Sequence, residues 1–246
     1  MRFAPLTALL VALLPAGAGE HDPDAPPAIQ ASLERMRTAA TSLRGAAYTL
    51  HRREWNGGEA YPAQIMACKL RRPEDLYMRW TGDAYQGREA LYRAGWNGGR
   101  LRISEGALVP TIDLDPTGYV AMRSSRHPAW MASVLRTADQ ILQGADVLSA
   151  DPALNAGYED LGIVPVRGEP SHCYKADLPI DKDPGQYAHR VLVCMGTRHG
   201  MPTRFAAWEK VGGQLRQIED YVFAGLAMNP GLTDADFDPD HPDYGF

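Results

Sequence analysis

Residue types able to support catalysis or metal binding occur in this chain, but not at the spacings that such chemistry uses. His51, His127, His172, His189 and His199 are scattered, and none falls at metal-ligand spacing from another. There is no G-x-S-x-G elbow, no H-E-x-x-H, no C-x-x-C and no glycine-rich phosphate loop with its lysine. His127, in Arg126-His127-Pro128, is the histidine that merits a test as base or ligand. Its plainer role is to fix the start of a following helix through ring hydrogen bonds. The closing segment Gly231–Phe246 sets Asp234, Asp236, Asp238 and Asp240 at alternate positions, which invites a calcium reading. An EF-hand loop needs Gly at its sixth position and a bidentate Glu at its twelfth. Here those positions hold Pro239 and Gly245, so the motif fails. The structural reading has Thr233 capping one helical turn, Asp234 and Asp236 favouring its N-terminus, Phe237 anchoring it, and Tyr244 and Phe246 packing. No catalytic residue, metal or cofactor is expected.

The elements that would position these residues follow from periodicity. Ile29, Leu33, Met36, Ala40 and Leu43 recur at helical spacing, with Asp24 as a cap, Pro26 and Pro27 in the first turn and Gly45 as a stop. That predicts a helix over 26–44. Short β-like runs follow at 46–55, 61–71, 75–81 and 88–94, with 100–104 and 108–114 as extensions. Their two-to-six-residue turns allow hairpins but not crossover helices. Residues 128–148 carry a second apolar stripe, including Trp130, Val134, Leu135, Ala138 and Leu142. Strand-like runs return at 158–164, 172–178, 189–195, 202–209 and 214–223. Strands alternating only with one another, plus two helices, predict an α+β architecture built on an antiparallel sheet.

The leader and cysteines bear on location. Arg2, the apolar run to Leu14 and the A-x-A site at 16–18 read as a signal peptide cleaved after Ala18. Cleavage leaves residues 19–246 as one domain, periplasmic and without a transmembrane segment. A net charge of −5 with no basic run argues against nucleic-acid binding. Runs 172–178 and 189–195, joined by a turn-rich loop, read as a hairpin. A register pairing 178 with 189 sets Cys173 opposite Cys194, which predicts a disulfide in an oxidising compartment and leaves Cys68 free. The alternative is that the cysteines are small buried apolar residues.

The tail Gly231-Leu-Thr-Asp-Ala-Asp-Phe-Asp-Pro239, closing on Pro242-Asp-Tyr-Gly-Phe246, resembles the ending of an exported bacterial family of unknown function. The resemblance extends to Arg72-Pro73, Tyr77-Met78-Arg79-Trp80, Gly87-Arg-Glu-Ala-Leu-Tyr92 and Arg126-His127-Pro128. The element order is also similar to the LolA/LolB-like fold. That likeness implies a curved, incomplete antiparallel β-barrel whose concave face is covered by the two helices. It also implies carriage of a lipid or of a lipoprotein acyl chain. On such a sheet Leu76, Met78, Trp80, Tyr92, Trp208 and Tyr221 would line an apolar ligand groove. The same residues would equally form the core beneath the helices. The leading reading is a non-catalytic binder of an apolar or lipidic ligand. Its rivals are an envelope protein-interaction, sensor or assembly module without bound lipid, and a hydrolase.

Overall fold

The computed structural model describes residues 28–106, 109–150, 157–179 and 187–246. The leader and its cleavage site lie outside the described residues.

Helix α1 (Ala28–Ser42) buries Leu33, Met36 and Ala40 on one side. Its last carbonyls are satisfied by Arg72, whose Nε donates to Leu43 O at 2.7 Å and whose Nη2 donates to Ala40 O at 2.8 Å. The first meander comprises β1 (Gly45–Asn56), β2 (Glu59–Ala60), β3 (Gln64–Arg71), β4 (Asp75–Trp80), β5 (Glu89–Tyr92), β6 (Leu101–Ser104) and β7 (Ile112–Leu114). The second comprises β8 (Tyr158–Val166), β9 (Glu169–Asp177), β10 (Arg190–Gly196), β11 (Pro202–Val211) and β12 (Gln214–Met228). They join through an antiparallel β1–β12 pair into one sheet, ordered β7-β6-β5-β4-β3-β1-β12-β11-β10-β9-β8, with β2 beside β1. The sheet is curved and open, as the sequence leads one to expect.

Bulges explain the curvature, because an extra residue bends its strand and increases the local twist. The β1–β12 register slips between Ala47 and Thr49, where β12 inserts Gly225 at φ 63°. That left-handed conformation suits glycine and strains other residues. Further slips place an extra residue in β8, β11 and β12.

Between the meanders lie the short helix α2 (Tyr119–Met122), a 3-10 turn at Ala129–Ala132 and α3 (Val134–Ala150). The sequence predicts one uninterrupted helix over 128–148. The structure breaks it at Ser133, which is extended (ψ 124°) and accepts a hydrogen bond from Arg136 N through its hydroxyl at 3.3 Å. An N-cap requires such a non-helical residue, and serine suits it. Tyr48 of β1 secures the junction, donating to Ala132 O at 2.9 Å and accepting from Val134 N at 3.2 Å. Val134, Leu135, Ala138 and Leu142 then pack with α1 over Leu50, Met66, Met78 and Phe223 of the sheet.

The hairpin β9–β10 has the expected register. Cys173 faces Cys194, Leu178 N donates to His189 O at 2.8 Å, and the two sulfurs are bonded. Cys68 is free and buried. The tail covers the other face of β3–β5. Thr233 and Asp236 form a reciprocal capping box around a 3-10 turn at Asp234–Phe237. Phe237 is fully buried with Tyr77 and Leu91, and Tyr244 stacks on Tyr77 at 4.0 Å. Asp236 meets Lys69 at 2.8 Å and Asp234 meets Arg71 at 2.7 Å, so both tail carboxylates face cations.

Candidate functional site

Alternation along a strand decides which side chains reach the concave interior. On β10 and β11 that side presents Val193 and Phe205, and facing them Leu33 comes from α1 and Ile141 and Ala145 from α3. They enclose a cavity of about 360 Å³ beneath the helices, with Tyr187 in its wall. Among the described residues no charged side chain lines it. Its polar groups come from tyrosine and glutamine, and the Tyr174 hydroxyl lies 3.0 Å from Ser32 Oγ in a buried contact. A wider, more open depression of about 890 Å³ lies beside α1, bordered by Glu34, Arg35, Thr38 and Arg198. Its polar rim gives an acyl chain little apolar wall.

The six residues read from sequence as groove lining sit elsewhere. Leu76, Met78, Trp80 and Tyr221 are buried in the main core. Leu76 borders a void of only about 20 Å³, and Met78 and Trp80 one of about 40 Å³. Tyr92 is half-buried against Trp130, with ring centroids 5.6 Å apart. Trp208 is half-buried on β11, opposite Arg190 and Gln217. None of the six lines the 360 Å³ cavity. The cavity lies over β9–β11, whereas Leu76, Met78, Trp80 and Tyr221 belong to the core built on β4 and β12.

A buried polar network lies next to the cavity. His127 Nε2 lies 2.8 Å from the Tyr187 hydroxyl and 3.0 Å from Glu219 Oε2. Glu54 accepts from the Tyr221 hydroxyl and, at 3.1 Å, from Arg126 N. Arg52 donates to Gln64 Oε1 at 2.8 Å and to Ser125 Oγ at 3.2 Å, and Trp80 Nε1 donates to the same Gln64 oxygen at 2.8 Å. Ser125 in turn donates to His127 O at 2.8 Å. Burial, reinforced by Glu219 and Glu54, pushes the Tyr187 and Tyr221 hydroxyls well above the usual tyrosine range. Both therefore remain donors at neutral pH.

Sequence reading singled out His127 but missed Glu54, Glu219 and Tyr187. A signal for the glutamates exists. Arg52 and Glu54 fall in phase with Tyr48 and Leu50 on the inward side of β1, and Glu219 in phase with Tyr221 and Phe223 on β12. Charged residues at core positions of an alternating strand break the pattern, and such breaks mark sites. Tyr187 sits in a loop and carries no such signal.

Several solved structures are similar to this chain. The Mycobacterium tuberculosis lipoprotein LppX is 12% identical with a TM-score of 0.50, covering 87% of this chain and 100% of its own. A DUF1329 family protein from Desulfovibrio piger is 12% identical with a TM-score of 0.38, covering 85% and 97%. A LolA superfamily protein from Nitrosomonas europaea is 12% identical with a TM-score of 0.35, covering 85% and 96%. The likeness to LppX is one of fold. No curated protein matches the sequence. Residues 44–246, from the start of the sheet through the whole tail, match DUF1571, described as a protein of unknown function, and the chain belongs to that family.

Proposed function

We propose that this protein is a non-catalytic carrier that acts in the periplasm and takes the acyl chain of a lipid or lipoprotein into the cavity beneath α1 and α3. The observation that carries this reading is the uncharged 360 Å³ cavity between those helices and β9–β11. Ligand sites run to roughly 300–1,000 Å³ and are mainly apolar with a few polar groups. A cavity at the lower end of that range suits a single chain. A charged headgroup buried there would lose its water without gaining an ionic partner, so the headgroup stays at the mouth. Export after cleavage at Ala18 belongs to the same proposal, and the Cys173–Cys194 bond supports an oxidising compartment. Among the described residues no helix is long and apolar enough to cross a membrane. Residues 19–246 act as one unit in this reading.

Native mass spectrometry of protein recovered from the periplasm tests it, alongside titration with a fluorescent fatty acid. The expected result is a bound lipid mass that the probe displaces. A ligand-free protein that also ignores the probe would count against carriage and favour an interaction module.

A further inference from the structure

We infer that Glu54, His127 and Glu219 bind one divalent metal ion of the zinc, manganese or iron(II) class. Glu54 and Glu219 are register partners on the paired strands β1 and β12, and both are buried. Like charges directly opposite one another weaken a strand pair, and burial strips away the water that would screen them. The two neighbouring guanidinium groups direct their terminal nitrogens elsewhere, and their Nε atoms are buried without a partner. Arg52 serves Gln64 and Ser125, and Arg126 Nη1 donates to Trp55 O at 2.9 Å. Among the described residues, His127 is the basic side chain within ion-pair reach of either carboxylate.

One ligand atom from each of the three residues lies within 4.8 Å of the others. A cation at their centre converts repulsion into attraction. One imidazole nitrogen with carboxylate oxygens suits zinc, manganese or iron(II), whereas calcium prefers oxygen alone. The hydrogen bond from Tyr221 to Glu54 supplies an outer partner of the kind that orients a metal-bound carboxylate. The ligands come from β1, β12 and the segment that enters the second helical region, so the ion ties that segment to the middle of the sheet.

The test uses the full chain, stripped with chelator and titrated with zinc alone by calorimetry. The expected result is one equivalent bound and a raised melting temperature. His127→Gln and Glu219→Gln each weaken uptake by at least about tenfold, the scale seen even for outer partners of a metal. Asp236→Asn, in the tail, leaves uptake unchanged. No uptake by the unaltered chain overturns the assignment. So does uptake that survives in the double variant, which would place zinc on other pairs, such as the exposed His172–Asp160 or the largely buried His199–Glu169. Should a variant fail to fold, cobalt(II) on the unaltered chain decides. Paramagnetic broadening centred on the His127 ring supports the site, and broadening centred elsewhere overturns it.

Discussion

The Tyr187 hydroxyl lies 2.8 Å from His127 Nε2, while the Tyr187 ring forms part of the cavity wall. One side chain thus joins the apolar cavity to the buried polar network. Tyr187→Phe keeps the ring and removes the hydroxyl, leaving His127 Nε2 with Glu219 as its remaining partner. We expect a loss of about 0.5–1.5 kcal/mol in urea unfolding, the usual net worth of one hydrogen bond. Affinity for an acyl probe should hold, since the wall is unchanged. Weakened probe binding with unchanged stability would contradict this division of roles.

Filling the cavity separates empty space from packed core. Ala145 on α3 faces the cavity, so Ala145→Trp places an indole where the acyl chain is proposed to lie. Probe affinity should drop by about tenfold or more, equivalent to about 1.4 kcal/mol. Stability should change by less than the roughly 1–3 kcal/mol that overpacking a filled core costs. A large destabilisation would mean that the site has no room.

The β9–β10 staple and the free thiol give a third prediction. The bond closes a loop with a sequence separation of 21, for which a chain-entropy treatment gives about 3 kcal/mol. Replacing both Cys173 and Cys194 with serine should lower unfolding stability by about that amount. Burial pushes the Cys68 thiol up to about 12, so at pH 8 it carries almost no thiolate. A thiol reagent should label nothing in the folded protein and one group after unfolding without reductant. Three labelled groups would show that the bridge is absent in solution.

Much of the fold was legible because apolar periodicity and turn residues agree along most of the chain. The β9–β10 register followed from two short runs and the loop between them. The tail turn followed from Thr233, two aspartates and one aromatic. The helix break at Ser133 was hidden, since a serine inside an apolar stripe reads equally as a solvent-facing position. The cavity was also hidden. Aromatic residues on a strand face look alike whether a helix presses on them or stands away. Trp80 and Phe205 are both buried, yet Phe205 borders the 360 Å³ cavity and Trp80 only a void of about 40 Å³.

The tail anchor should behave as core although it lies within ten residues of the chain end. Phe237→Ala should cost about 3–5 kcal/mol, the range for a buried aromatic, measured by denaturant unfolding. A cost below 1 kcal/mol would mean that the tail lies loosely on the sheet.

Acid should loosen the tail and the β6–β7 pair. Burial raises the Asp236 carboxyl, but hydrogen bonds from Lys69 and Thr233 N outweigh it, and the net shift is downward. The hydrogen bond from Arg102 likewise holds Asp113 below its ordinary 3.8. In both cases the unfolded chain binds the proton more readily than the folded protein does. Their stabilisation is therefore complete above 3.8 and disappears as pH falls through the lower folded values. Unfolding stability should decline on acidification below about pH 4, given an unfolded aspartate near 3.9. Lys69→Met should make that decline shallower, and an unchanged acid profile in the variant would refute the assignment.

The free edges β7 and β8 are joined through the chain that carries α2 and α3, and among the described residues no strand pairing links them. Across the concave face α1 and α3 meet through side chains, among them the exposed Arg37–Asp146 pair at 2.7 Å. An exposed pair of that kind contributes on the order of 0–1 kcal/mol. The closure over the sheet rests instead on buried apolar packing, with Leu33, Met36 and Ala40 of α1 beside Val134, Leu135, Ala138 and Leu142 of α3 in one core.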